Sequence, residues 1–264
     1  MPEAPVSEHH QKHGTAKAVA GIAATTGLLI PIHLVALLLA PNSLPYVPKI
    51  IHKWFVASLG IKVRMHGKRA RRKGVLYVAN HLSWTDIPVL GSRLTGYFVA
   101  KSEVEGMAVV GWLADLQRTI YVERERRHRS DSQADQIADR LAEGGNVILF
   151  PEGTTTANGY DVLPFKSALF AAVEGMADVL IQPVTIAYTR INGLPVTHQQ
   201  IHDVAWIGDS EIGEHAADFT RLGQVRAEIL MHDAVSPTDF ANRKALALHC
   251  QQAVADGYAK LMRA

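Results

Sequence analysis

One cysteine, Cys250, occurs among the 264 residues of the chain. A single thiol cannot form an internal disulfide bond, which fits a protein of a reducing compartment. Cys250 lies in a helical-looking stretch near the C-terminus, and we expect it to be a buried structural thiol. The cysteine content therefore excludes an internal disulfide framework.

Motifs of several enzyme classes are absent as well. The chain has no Gly-x-Ser-x-Gly segment, and residues 208–213 do not have its spacing, which argues against a serine hydrolase. It has no His-Glu-x-x-His segment and no pair of cysteines, so we predict no metal site. Neither a Walker loop nor a glycine fingerprint follows a predicted strand, which argues against a nucleotide enzyme. No bound cofactor is expected.

The net charge is also small, at +2 with histidine neutral, although the positive residues are grouped. Residues 68–73 contain five lysines and arginines, and residues 124–129 contain four arginines. Most such groups are solvated surfaces; the more specific alternatives are contact with anionic lipid or with nucleic acid. The N-terminal segment decides between these two partners.

A long run without formal charge, residues 18–40, precedes both groups, and only His33 in it could be protonated. As a continuous helix this run would be about 34 Å long, enough to cross a hydrocarbon core of about 30 Å. Gly27, Pro31 and Pro41 interrupt it, so a kinked span and a shallow two-helix hairpin both fit. We therefore expect attachment to a membrane surface with anionic lipids, and no nucleic-acid partner.

The flanking segments complete this N-terminal organisation. Residues 46–55 mix aromatic, basic and aliphatic side chains, as helices at membrane interfaces do. A cleaved signal peptide is a poor fit, because the apolar run is too long and acidic residues precede it. We predict a disordered start at 1–14, a membrane anchor with an interfacial helix at 15–60, and one domain at 61–264.

Past the anchor, strand and helix patterns alternate. Such alternation predicts an α/β fold with a single mixed sheet flanked by helices. No internal repeat and no low-complexity linker indicates a second domain. The predicted strands are 62–66, 74–79, 97–100, 118–122, 146–150, 180–188 and 225–231. The predicted helices are 84–94, 102–115, 131–143, 166–176 and 237–262.

Two side chains suited to acid–base chemistry, His81 and Asp86, follow the strand predicted at 74–79. On one helix they would be roughly 140° apart, so they meet only if the chain turns between them. Pro88 is tolerated in a first helical turn, which places Asp86 near the start of a helix. There Asp86 can accept the ring N–H of His81 and leave the other nitrogen as a general base. Taken alone, a helix cap beside a loop histidine explains the pattern equally well.

Three further segments place special residues in or after predicted strands. Glu152, Gly153 and Thr154 follow one strand and could meet a polar ligand, although an ordinary turn also fits. Arg124 ends another strand and could clamp a phosphate or form a surface ion pair. Pro183 lies inside a strand, which indicates a sheet edge or a bulge.

Taken in chain order, the four segments resemble the blocks of the glycerolipid acyltransferase family, typified by the lysophosphatidic acid acyltransferases. The resemblance covers roughly residues 60–190. The family blocks are Asn-His-x-x-x-x-Asp, an arginine, Phe-Pro-Glu-Gly-Thr and a proline. The matching positions are His81 and Asp86, then Arg124, then residues 150–154, then Pro183.

The resemblance implies transfer of a fatty acyl group from a thioester to a hydroxyl of a lysolipid at a membrane surface. His81 would take the proton of that hydroxyl, Asp86 would hold the ring, and no acyl-enzyme would form. The donor would be acyl-CoA or acyl-ACP, an acylated acyl carrier protein, which present the same thioester. The domain would lie on the cytoplasmic face of the inner membrane. The residues predicted to bind the acceptor are Arg124, Glu152, Gly153, Thr154, Lys166 and Pro183.

The identity of the acceptor depends on a few positions. Family members that handle phosphate often have an arginine where this chain has Thr155, although Lys166 could supply the missing charge. Residues 154–169 and 204–209 also resemble the branch that acylates lyso-ornithine lipid, which has no phosphate. We rank lysophosphatidic acid first, giving phosphatidic acid as product, because Arg124 and Lys166 are present, and lyso-ornithine lipid second. The alternative of another class is a peripheral lipid-binding protein without catalysis.

Overall fold

A computed structural model gives the fold of the protein. It describes residues 46–72, 74–122, 130–156, 158–207 and 211–263, and also 16, 20, 21, 23, 24, 27, 28 and 30–35. The predictions for residues 1–14 and for Arg124 lie outside the described residues.

A single mixed sheet forms the centre of the domain, as the alternating pattern predicts. Its strands in the described part of the chain are β1 (Ile61–His66), β2 (Val75–Ala79), β3 (Tyr97–Lys101), β4 (Ile120–Val122), β5 (Val147–Leu149), β6 (Leu180–Ile191), β7 (Leu194–Pro195) and β8 (Val225–Met231). Their order is β1-β8-β6-β2-β5-β3-β4, with β7 paired to β6. β6 runs antiparallel to β7 and β8, and the other pairs are parallel.

Helices connect the strands. Within the described residues from 46 onward the α-helices are α1 (Tyr46–Ser58), α2 (Asp86–Arg93), α3 (Ala108–Leu116), α4 (Ser130–Ala142), α5 (Ile201–Val204), α6 (Ile212–Phe219) and α7 (Arg243–Met262). Short 3-10 helices cover Ser102–Val104, Ser167–Val173 and Pro237–Asp239. The continuous helices predicted at 102–115 and 166–176 are therefore wrong in detail. The first breaks at the turn around Gly106, and the second winds as a 3-10 helix.

The core lies on both faces of the sheet. All five residues of β2 are buried, which is typical of a central strand covered on both sides. Tyr77 of β2 belongs to one apolar cluster, and Leu76 and Val78 belong to the other. The first half of α7, including Cys250, packs in the second cluster, whereas Tyr258 and Leu261 nearer its end belong to the first. The expected burial of Cys250 is confirmed, and burial raises the pKa of its thiol to about 12.

α1 lies against α2 at the N-terminal side of the domain. It buries His52 and Val56, and it exposes Tyr46, Ile50 and Trp54. The four-residue spacing of the exposed positions puts them along one side of the helix. Helix formation in the segment predicted to be interfacial is thus confirmed, and it continues to Ser58.

The described residues between 16 and 35 are helical. His33 Nε2 lies 2.7 Å from the carbonyl oxygen of Leu116, which ties this segment to the end of α3. Among the described residues, no helix combines the length and the apolar character that a membrane span requires. The N-terminal anchor stays a prediction.

Replacing Gly91 with alanine is expected to loosen the contact between α1 and α2. A Cβ atom at Gly91 would overlap the imidazole ring of His52, which is buried and has little room to move. We expect the free energy of unfolding to fall by about 1–3 kcal/mol, the usual cost of an overpacked core. Urea unfolding followed by circular dichroism measures this difference.

Gly213, on α6, provides the matched control. A Cβ atom there would meet nothing within 4 Å, so alanine should be neutral or slightly stabilising. Equal stability of the Gly91→Ala and Gly213→Ala proteins would contradict the proposed overlap with His52.

Candidate active site

The candidate site begins where β2 ends. The side chain of Asn80 donates from Nδ2 to the carbonyl of Ile186 and accepts the N–H of Ile186 at Oδ1, both at 2.9 Å. The amide thus replaces the backbone of a strand residue and fixes the point at which the chain leaves the sheet. The turn that carries His81 starts from this fixed point.

His81 and Asp86 meet across the turn that follows. His81 Nδ1 lies 2.9 Å from Asp86 Oδ2, and α2 begins at Asp86, so both sequence-based expectations about this turn are confirmed. Oδ2 also accepts the backbone N–H groups of Leu82 at 2.6 Å and Ser83 at 2.9 Å. Because an ionised carboxylate only accepts hydrogen bonds, Nδ1 of His81 carries a proton, and in the neutral ring Nε2 is then the unprotonated nitrogen.

The burial of the two residues differs in a way that suits a base and its support. The Asp86 side chain is 0% exposed, whereas the His81 side chain is 17% exposed. The His81 ring also stacks on Phe150, with centroids 4.2 Å apart and planes at 18°. Asp86 therefore holds one edge of the ring, Phe150 supports one face, and Nε2 lies on the side of the ring away from Asp86.

Tyr188, on β6, reaches the other oxygen of the carboxylate. Its O–H donates to Asp86 Oδ1 at 2.7 Å, and its oxygen lies 2.6 Å from Thr85 Oγ1. Burial, and then the charge of Asp86, raise the pKa of Tyr188 well above its usual value, so it stays a neutral donor. Sequence reasoning did not single out Tyr188, because 102 positions separate it from Asp86 and no local pattern marks the contact.

Glu152 lies beneath the same loop and is almost completely buried. Its Oε1 accepts the N–H of His81 at 3.0 Å, and its Oε2 accepts the N–H of Leu163 at 3.2 Å. Burial raises the pKa of Glu152 to about 8, outweighing these two hydrogen bonds, and the charge of Asp86 adds to the rise. Both oxygens already bind backbone groups, so Glu152 joins the loop that contains His81 to the loop that contains Leu163. Its predicted contact with the acceptor stays a prediction.

The remaining residues of the second segment surround this position. Gly153 has φ +78°, and its N–H bonds the carbonyl of Phe150 at 3.1 Å, which confirms a tight turn that needs glycine. Thr154 is exposed beyond the turn. Lys166 has an exposed side chain, and its backbone N–H bonds the carbonyl of Pro151 at 2.9 Å. These contacts bring the Glu152 turn and the Lys166 segment together.

Pro183 differs in part from expectation. The prediction of an edge strand is wrong, because β6 lies between β2 and β8 and Pro183 is buried. Between the Val184–Met231 pair and the Ile181–Val235 bridge, β6 has two residues and the opposite chain has three. This extra residue is a β-bulge, which suits a residue that has no N–H for the ladder. The predicted role of Pro183 in acceptor binding stays a prediction.

Comparisons with known proteins agree on one family. Residues 61–187 match the family model described as Acyltransferase. A lyso-ornithine lipid O-acyltransferase of Brucella abortus is 39% identical over 87% of this chain and 88% of its own length. A 1-acyl-sn-glycerol-3-phosphate acyltransferase of Neisseria gonorrhoeae is 36% identical, over 40% of this chain and 42% of its own.

A solved structure resembles the fold along almost its whole length. The crystal structure of the 1-acyl-sn-glycerophosphate (LPA) acyltransferase PlsC from Thermotoga maritima aligns with a TM-score of 0.68. The alignment covers 96% of this chain and 97% of the other, at 21% identity. At that identity the likeness supports the fold alone.

Replacing Glu152 with glutamine is expected to change how stability depends on pH. The folded-state pKa of about 8 lies above the value in an unfolded chain, so folding favours the protonated carboxyl. The contribution of the protonated carboxyl to the free energy of unfolding is complete below about pH 4 and is lost as the pH rises through about 8. Glutamine does not titrate. The wild-type protein should therefore lose stability relative to Glu152→Gln as the pH rises through this window, measured by urea unfolding at several pH values.

Glu143→Gln is the control for this measurement, because the Glu143 side chain is 66% exposed. Its difference from the wild type should stay constant over the same pH range. A constant difference for Glu152→Gln as well would show that Glu152 does not titrate in this window.

Proposed function

Because the chain belongs to the acyltransferase family and is an O-acyltransferase, we propose that it transfers a fatty acyl group from an acyl thioester to the free hydroxyl of a lysolipid. The observation that carries the mechanism is the 2.9 Å contact between His81 Nδ1 and the buried Asp86 carboxylate. Such a pair leaves Nε2 free to act as a general base.

In the proposed reaction, Nε2 of His81 takes the proton from the acceptor hydroxyl as its oxygen attacks the thioester carbonyl. Asp86 stabilises the resulting imidazolium through Nδ1–H. Collapse of the tetrahedral intermediate breaks the C–S bond, and the imidazolium returns its proton to the departing sulfur. The products are an ester and a free thiol, so no acyl-enzyme is needed. The donor is acyl-CoA or an acylated acyl carrier protein, which offer the same thioester.

For the acceptor we propose lyso-ornithine lipid. The Brucella abortus relative with that name matches along nearly the whole chain, whereas the phosphate-acceptor relative matches less than half of it. Thr155 adds to this preference, because threonine cannot replace the paired N–H donors of an arginine on a phosphate. Lysophosphatidic acid, ranked first from the sequence, becomes the second candidate. Its support is the match to the Neisseria enzyme and the exposed side chain of Lys166.

We also propose that the domain sits on the cytoplasmic face of a membrane through α1. Tyr46, Ile50 and Trp54 form an exposed apolar stripe on this helix. Large exposed aromatic and aliphatic side chains in a row are typical of an interfacial helix. Lysolipids are amphiphiles whose acyl chain partitions into a bilayer, so an enzyme that acylates them meets its acceptor at such a surface.

Positive charge adjoins the stripe. Burial, and then the charges of Arg69, Lys53 and Arg93, lower the pKa of Lys49. Lys49 and Lys53 are one turn apart on α1, while Arg69 contacts the Arg93 carbonyl at 3.2 Å. Positive charge beside an apolar stripe favours a bilayer that contains anionic lipids.

The activity is tested by supplying purified protein with an acyl thioester and each lysolipid in parallel. We expect diacyl product and free thiol, with lyso-ornithine lipid used in preference to lysophosphatidic acid. His81→Ala should lower the rate by about 10²–10⁴-fold, the usual contribution of a general base. Wild-type protein that forms neither product nor thiol would contradict the enzymatic proposal and favour a lipid-binding protein.

The exposed His249 on α7 gives the matched histidine control. His249→Ala should keep the wild-type rate. An equal loss of acyl-transfer rate in both variants would indicate damage to the fold rather than removal of a base. Preference for lysophosphatidic acid would overturn the proposed acceptor without affecting the proposed base.

The membrane proposal predicts that Trp54→Glu weakens binding to vesicles that contain phosphatidylglycerol. Keeping a large apolar side chain out of the bilayer should lower the partition coefficient by about tenfold or more. Flotation of the full-length protein with vesicles measures it. Leu248 on α7 is similarly exposed, at 64% against 61% for Trp54, so Leu248→Glu is the control. Equal flotation of the two variants would contradict a membrane contact through α1.

A further inference from the structure

Thr85 occupies a position where a hydroxyl normally caps a helix, but it is used differently. It is the N-cap residue of α2, yet its side chain makes no capping hydrogen bond. Its Oγ1 lies 2.6 Å from the Tyr188 hydroxyl instead, and both side chains are completely buried. Its backbone is already helical, at φ −70° and ψ −14°, so its side chain is not in the geometry of a cap and is available for the contact with Tyr188.

The direction of the hydrogen bonds follows from the number of protons. Tyr188 has one hydroxyl proton and donates it to Asp86 Oδ1. The short contact with Thr85 must then have Thr85 as the donor. A chain of two O–H dipoles, from Thr85 through Tyr188, therefore ends on the carboxylate.

The two oxygens of Asp86 are bound by different parts of the fold. Oδ2 binds the His81 ring and the backbone of the turn, whereas Oδ1 binds Tyr188 on β6. A carboxylate held through one oxygen could rotate about its Cβ–Cγ bond. Bonds from both sides stop that rotation and fix the direction in which Oδ2 meets the ring.

We propose that Tyr188, with Thr85 behind it, is a positioning residue for acyl transfer: it holds the Asp86 carboxylate in the rotation and the charge state that His81 needs as a base. Tyr188 does not touch the substrate and acts through Asp86. This inference rests on the proposed role of His81.

The same contact affects the pH dependence of catalysis. The groups that face Asp86 are the ring of His81, the Tyr188 hydroxyl, Glu152 and, from α7, Tyr258. The Tyr188 dipole points its positive end at the carboxylate and so opposes protonation of the nearby ring. Without this dipole, the carboxylate should stabilise the protonated form of the His81 ring more strongly, while Glu152 and Tyr258 keep their places around it.

The test compares Tyr188→Phe with the wild-type protein in the acyltransferase assay across pH. We expect kcat to fall by about 10- to 100-fold, as for a hydrogen bond to a charged group. The acceptor KM should stay unchanged, and the acid limb of the pH–rate profile should move to higher pH. Thr85→Val should show a smaller change in the same direction, and Thr85→Ser should restore wild-type behaviour because it keeps the donor.

Thr185→Val is the structural control. Thr185 is buried on the same strand, and its hydroxyl bonds the carbonyl of Val254 on α7 rather than the site. Its loss should lower stability and leave both kcat and the pH profile unchanged. Should Tyr188→Phe reproduce this result, with stability reduced and the acid limb unmoved, Tyr188 would be a packing residue and the inference would be overturned.

His81→Ala keeps the two proposals separate. If His81→Ala keeps activity, the base assignment and this inference fail together. If His81→Ala loses activity while Tyr188→Phe keeps the wild-type kcat and pH profile, only the positioning role fails.

Discussion

The buried carboxylate of Asp86 is the constraint on which the site depends. A charge without access to water is tolerated only when hydrogen-bond donors replace the water, and here the donors come from the turn, from His81 and from β6. The first two belong to the turn between β2 and α2, whereas Tyr188 comes from a strand 102 positions away in the sequence. The end of β2, the start of α2 and the central position of β6 can therefore be understood as requirements of a single ion.

Local parts of this arrangement could be predicted from the sequence, and distant parts could not. The turn between His81 and Asp86 followed from helical geometry and from Pro88, because all the relevant atoms lie within a few residues. Tyr188 escaped prediction because only strand pairing brings β6 beside the turn. Pro183 shows an intermediate case: the missing N–H indicates an irregularity, but an edge and a bulge satisfy it equally well.

Glu152 illustrates how a motif can be recognised while the use of its side chain is not. A glutamate after a strand suggests a group presented to a ligand. In the fold, both of its oxygens are taken by backbone N–H groups of two loops. Loop conformation decides this, and composition carries no signal of which N–H groups will converge. The short α5 and the neighbouring α6 went unpredicted for a related reason, since a helix of one or two turns has little periodicity.

The two backbone bonds to Asp86 Oδ2 also bear on how this turn can change in evolution. Leu82 and Ser83 serve the carboxylate through N–H groups that every residue except proline possesses. The Leu82 side chain is constrained by the space around it, whereas the Ser83 hydroxyl also accepts the N–H of Thr85 at 3.5 Å. Substitution at Leu82 should therefore be tolerated where volume is kept, and proline should be rejected at both positions. The motif is therefore defined by the side chains of His81 and Asp86 and by the spacing between them.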